Sequence, residues 1–129
     1  MKHNLKIYKR KIIVIPTIKG INDYREIKFI LDTGSSKTII DEQAAIRLGF
    51  DLKRLQVGDR LMTVGGGIGS KILSLPKLTL FGIDCINFKV DVIKLPLQIL
   101  FFAEGIIGMD FLLQFKALKI NFDEKTIEI

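Results

Sequence analysis

A chain of 129 residues with 48% apolar and 26% charged side chains can fold as one domain and bury roughly two thirds of the surface its unfolded form exposes, which excludes a disordered tether. Its single cysteine, Cys85, excludes an internal disulfide and suits a reducing compartment, and with one histidine, His3, there are too few ligands for a zinc site. The charge of +6 is concentrated at one end: Lys2, Lys6, Lys9, Arg10, Lys11 and Lys19 precede the first acid, and the remaining fourteen bases match fourteen acids.

Residues 1–10 therefore read as a basic, solvated arm ahead of a neutral domain over residues 11–129. The arm lacks the apolar stretch of a signal peptide, and no apolar run is long enough to span a bilayer, so a cytoplasmic protein without a membrane partner is expected. It also lacks interleaved aromatics and any nucleic-acid motif, so no nucleic-acid partner is expected.

Residues 11–18 are rich in β-branched side chains and predict a strand, with Pro16 favouring an edge or a bulge. A turn at residues 20–23 leads to a second strand over residues 25–31. That strand ends in Asp32-Thr33-Gly34-Ser35-Ser36, a carboxylate at a strand mouth in a turn of short hydrogen-bonding side chains. A brief strand at residues 38–40 leaves the loop. Asp41 can cap a helix over residues 42–48 that Gly49 ends.

Two β-like segments between residues 57 and 74 flank Val64-Gly65-Gly66-Gly67-Ile68-Gly69. Such a hairpin tip can lie against another backbone with few side chains in the way. Its spacing fits neither a phosphate loop nor a dinucleotide fingerprint, and no cofactor is expected. Strands over residues 77–81 and 85–93 follow, joined by Gly82-Ile83-Asp84. The segment Gly105-Ile106-Ile107-Gly108-Met109-Asp110-Phe111-Leu112 reads as a buried strand entering a short helix, with Asp110 in the helix's first turn as a structural acid. A hairpin over residues 118–129 closes the chain. Strand, strand, glycine-marked loop, strand and short helix occur around Gly34 and echo weakly around Gly108.

An isolated Asp-Thr-Gly favours an ordinary strand-to-turn transition over a site for chemistry. Three features coincide here, however: Leu31-Asp32-Thr33-Gly34-Ser35, the glycine-rich hairpin, and Gly105-Ile106-Ile107-Gly108-Met109-Asp110-Phe111-Leu112. In order and spacing they resemble retropepsin-like aspartic proteases over about residues 11–115. The resemblance implies an all-β fold with one or two short helices, a closed β-barrel of the acid-protease type with one lobe per chain. It implies Asp32 as the catalytic carboxylate and Thr33 as a hydroxyl that locks two catalytic loops together. Gly34 would offer its backbone to substrate. Val64, Gly65, Gly66, Gly67, Ile68 and Gly69 would form the flap, while Ile106 and Ile107 would line the pocket. Ser36 and Met109 stand where retroviral enzymes commonly pair an Asp and an Arg near the dimer interface, a departure from the family pattern. Ser35 is expected to donate its hydroxyl to the outer oxygen of Asp32.

Aspartic proteolysis needs two carboxylates sharing a proton. No other aspartate here is followed by Thr-Gly or Ser-Gly, so the resemblance implies a homodimer in which Asp32 meets its own copy, acting on an extended polypeptide. The rival reading is a catalytically inactive module that keeps the same fold for dimerisation or peptide binding. Serine or cysteine chemistry has little support, because His3 lies in the arm and Cys85 reads as a small core residue.

Overall fold

The structure, a computed structural model, describes residues 1–58, 61–63 and 66–129. Its first ten residues are not loose. They form β1 (Lys2–Asn4) and β2 (Lys6–Tyr8), whose lysines point outward while Leu5 is buried against the core. Exposed and half-buried positions alternate along both strands, so the lysines stay in solvent while the backbone pairs with residues 126–128 and 11–13.

The strand expected over residues 11–18 is two, β3 (Lys11–Val14) and β4 (Thr17–Lys19), and the next is likewise split into β5 (Tyr24–Glu26) and β6 (Phe29–Leu31). Pro16 has no N–H to give a ladder, and its carbonyl accepts from Ile27 N at 3.2 Å, so both strands turn a corner at the same level. β3 then pairs with β6, and β4 with β5.

β7 (Ile39–Asp41) leads into α1 (Glu42–Arg47), where Asp41 caps through a bond from Gln43 N at 3.0 Å. Gly49 leaves that helix at φ +95°, a conformation glycine adopts without strain. A 3₁₀ turn at Leu52–Arg54 precedes β8 (Gln56–Val57), β9 (Leu61–Thr63) and β10 (Gly66–Ile68). The longest hairpin joins β11 (Lys71–Leu80) to β12 (Ile83–Ile93) through Phe81 and Gly82, both at positive φ as a tight hairpin turn requires. After α2 (Leu97–Leu100) come β13 (Gly105–Ile107), α3 (Met109–Leu112), β14 (Lys119–Asn121) and β15 (Thr126–Glu128).

A ten-stranded sheet follows the order β2-β3-β6-β13-β7-β12-β11-β4-β5, with β8 added on β11. The fold is the mostly-β class expected, but the barrel is not closed: among the described residues the path ends at β2 on one side and β5 on the other. Among the described residues there are three short α-helices rather than one or two. A second sheet, β1-β15-β14, joins the two ends of the chain. No described helix is long and apolar enough to cross a membrane.

Alternation along the strands divides the apolar residues between two clusters. The larger includes Phe29, Leu31, Ile40, Leu75, Leu78, Ile107 and Phe111, with Phe111 meeting Phe88 and Phe115 edge-on. The smaller joins Ile39, Ile93, Leu95 and Ile106 to Leu61 and Ile68 of the glycine-rich hairpin and to Ile99 and Leu100 of α2. Each fully buried large side chain contributes about 1.5–3 kcal/mol.

Candidate active site

β13 lies between β6 and β7. It runs parallel to β6, with Ile106 opposite Ile30 and Ile107 opposite Leu31, and antiparallel to β7, with Ile106 opposite Ile39. The loop over residues 32–38 must therefore step across β13, a gap of about 10 Å at ordinary strand spacing. A loop so stretched needs anchors, and the chain that follows β13 supplies them.

Asp32 begins the loop one rung past β6, its N–H donating to the Ile107 carbonyl at 3.0 Å. Its Oδ1 accepts from Gly34 N at 2.8 Å, and Ser35 N closes the turn on the Asp32 carbonyl at 3.2 Å. Asp32 is half-buried while Thr33 and Gly34 are exposed. The carboxylate is thus fixed by one oxygen, and among the described residues the other oxygen accepts no hydrogen bond.

The Ser35 hydroxyl does not reach Asp32. It donates to the Lys37 carbonyl at 2.7 Å, because the loop folds back on itself and offers a nearer acceptor. The Ser35 carbonyl in turn accepts from Met109 N at 2.7 Å, and that of Ser36 from Asp110 N at 3.2 Å. Gly108 makes this approach possible. A Cβ there would sit 2.8 Å from the Ser35 carbonyl oxygen and nearer still to that of Lys37. Gly108→Ala is expected to cost about 1–3 kcal/mol of stability through overpacking against backbone that cannot rotate away. An unchanged urea midpoint would contradict this.

Thr38 anchors the far end of the loop and is wholly buried. Its N–H donates to Asp110 Oδ2 at 3.0 Å and its hydroxyl to Oδ1 at 2.7 Å, while the same hydroxyl oxygen accepts from Gly108 N at 3.1 Å. Asp110 Oδ1 also accepts from Phe111 N at 2.8 Å. In a helix of only four residues a dipole role for Asp110 is minor, and its work is to clamp the loop. Nothing local in the sequence marks Thr38, since its partner lies 72 residues away.

The other expected site residues are spread around this loop. Ile106 belongs to the smaller cluster with Leu61 and Ile68, on the side of the glycine-rich hairpin. Ile107, expected beside it, is fully buried in the larger cluster on the opposite face, since neighbours in a strand point to opposite sides. β9 and β10 pair with Gly66 opposite Thr63, Gly67 opposite Met62 and Ile68 opposite Leu61. Gly69 is exposed, and a Cβ on it would meet nothing within 4 Å. Val64 and Gly65 lie outside the described residues. Thr33 is exposed, and among the described residues no side chain bonds its hydroxyl. A cleft of about 460 Å³ opens elsewhere, between β2 and the residues after α2, and Asp32 is not among its lining residues. Among the described residues no three acids, histidines or cysteines gather as metal ligands.

A strand-borne Asp-Thr-Gly loop, spanned by a second strand and clamped by the Gly-Met-Asp turn after it, defines an acid-protease lobe. The aspartyl protease family model matches residues 17–111, so the chain belongs to that family. Comparison with curated protein sequences gives no significant match. Among solved structures the chain is similar to a retropepsin-like aspartic protease from Rickettsia conorii, at TM-score 0.74 and 23% identity over 98% of this chain and 88% of that one. It is also similar to the EIAV protease complexed with the inhibitor HBY-793, at TM-score 0.67 and 18% identity over 88% and 95% of the two chains. The retroviral protease-like domain of Ddi1 from Leishmania major aligns at TM-score 0.58 and 23% identity, over 91% and 86%. At these identities the three structures speak for the retropepsin-like fold.

Proposed function

We propose that this chain is an aspartic endopeptidase whose active site is assembled from two copies, each giving Asp32. The observation that carries the reading is the presentation of Asp32: one loop-fixed carboxylate per chain, half-exposed beside exposed Thr33 and Gly34, with one oxygen uncommitted. A lone carboxylate can accept a proton but cannot also protonate the scissile carbonyl. Two that face each other across a two-fold axis share one proton and do both.

In that arrangement the ionised carboxylate takes a proton from water as the water oxygen bonds to the peptide carbonyl carbon. The protonated carboxyl gives its proton to the carbonyl oxygen. Collapse of the resulting diol breaks the C–N bond: the ionised carboxylate takes the proton of one diol hydroxyl, and the protonated carboxyl gives its proton to the departing nitrogen, so that the pair again holds one proton. Thr33 would join the two loops, and Gly34 would offer its backbone to an extended peptide. Ile106, with the apolar hairpin residues Leu61 and Ile68, favours hydrophobic side chains next to the cut. Residues 64–69 would close over the peptide as a flap.

Because the site is shared, activity per milligram should rise with protein concentration and level off when dimers predominate. Cleavage of a mixed peptide library, followed with sedimentation over a dilution series, tests this. Specific activity that stays constant down to concentrations where only monomer sediments would refute a shared site. A dimer that cleaves nothing at acidic or neutral pH would favour the inactive module.

A further inference from the structure

We propose that Asp91 is a positioning residue that couples the root of the β9–β10 hairpin to the loop carrying Asp32. The proposal rests on the reading of that hairpin as a flap, and it concerns a carboxylate that the proteolytic chemistry does not use.

Asp91 lies within β12 and is only 5% exposed. A buried carboxylate is costly unless its oxygens are matched, and both oxygens are. Oδ1 accepts from the Ser70 hydroxyl at 3.1 Å, and Oδ2 stands 3.6 Å from the Lys37 ammonium. Lys37 belongs to the catalytic loop, one residue before Thr38, whose carbonyl accepts from Asp91 N at 3.1 Å. Asp91 therefore holds the exit of that loop through side chain and backbone together.

Ser70 belongs to the hairpin. It follows β10 by two residues, is itself 5% exposed, and its carbonyl accepts from Gly58 N at 2.9 Å across the hairpin's base. Gly58 is bare for a reason visible in the packing: a Cβ would stand 2.7 Å from the Ser70 hydroxyl and 3.2 Å from Asp91 Oδ1. The hairpin root is thus pressed onto the carboxylate that also holds the loop. Lifting the root strains the Ser70 bond, and Asp91 passes the displacement to Lys37 and Thr38. A peptide held between hairpin and loop would meet the two at a fixed spacing.

The test uses the full-length chain and backbone amide exchange, with peptide cleavage read alongside. Ser70→Ala removes the hairpin side of the link and leaves the Lys37 pair in place. It is expected to speed exchange about tenfold or more within residues 66–69 and also in the loop at residues 35–38. Asp91→Asn keeps an acceptor for Ser70 but loses the charge opposite Lys37, and should loosen both segments as well. In cleavage, both variants should raise KM several-fold with kcat nearly unchanged, because the peptide must then order the flap and the loop separately. Faster exchange confined to the hairpin in Ser70→Ala would overturn the coupling. So would a fall in kcat at constant KM, which reports loss of folded dimer. A native chain that cuts no peptide would remove the protease reading alone, since the exchange result still decides the coupling.

Discussion

Asp32→Asn is expected to lower peptide cleavage by about a thousandfold, within the range that a positioned acid–base group contributes. The substitution suits the structure. Asparagine retains an oxygen that can accept from Gly34 N, the bond that fixes the Asp32 side chain among the described residues, so the loop keeps its turn and only the proton chemistry is lost. Cleavage of a fluorogenic peptide by native and variant chains, at matched sedimentation behaviour, provides the measurement. Mixing gives a sharper result: at equal amounts and random pairing, about a quarter of the dimers carry two native carboxylates, and activity should fall accordingly. Equal cleavage by native and variant chains would refute Asp32 as the reacting group. Activity that falls only to half on mixing would refute sharing.

Asp110→Ala should be the most destabilising single change near the site, by about 3 kcal/mol, with a fall in the urea midpoint to match. Three donors lose their acceptor together: the N–H and hydroxyl of Thr38 and the N–H of Phe111. Thr38 is wholly buried, so water cannot replace the missing oxygens without opening the fold. Asparagine at position 110 is no remedy, because it turns one accepting oxygen into a donor facing a donor. The contrast is Glu104, which pairs with Arg47 where both side chains are more than a third exposed. Glu104→Ala should cost less than about 1 kcal/mol. Similar midpoints for the two alanine variants would mean that the clamp does not hold the loop.

Much of the site was legible because its signals are local. A β-type run that ends in acid, hydroxyl and glycine can be read within eight residues, and so can Asp41 at the start of α1. What escaped depends on partners distant in the chain. Thr38 has no mark of its own until Asp110 is placed beside it. The lysines of β1 and β2 resemble a solvated arm until β15 and β3 are there to pair with them. The corner at Pro16 is hinted at by the proline, but that residues 25–31 break at the same level follows only from the Ile27 bond to it. The different fates of Ile106 and Ile107 could have been anticipated, since a strand has a period of two and one of the pair must face the core. The Ser35 hydroxyl is a different miss: both candidate acceptors lie within three residues, and the fold of the loop gives it the Lys37 carbonyl rather than the Asp32 carboxylate.

The insertion of β13 between β6 and β7 also sets an order of events. Asp32 draws its backbone acceptor from Ile107, and the far end of its loop is tied to Asp110. Neither exists until most of the chain has been synthesised, and long-range pairings of this kind form late because a large loop must close first. The geometry at Asp32 is therefore a property of the finished chain, and a ribosome-bound nascent segment that already contains Asp-Thr-Gly holds the residues of a cutting site without its shape.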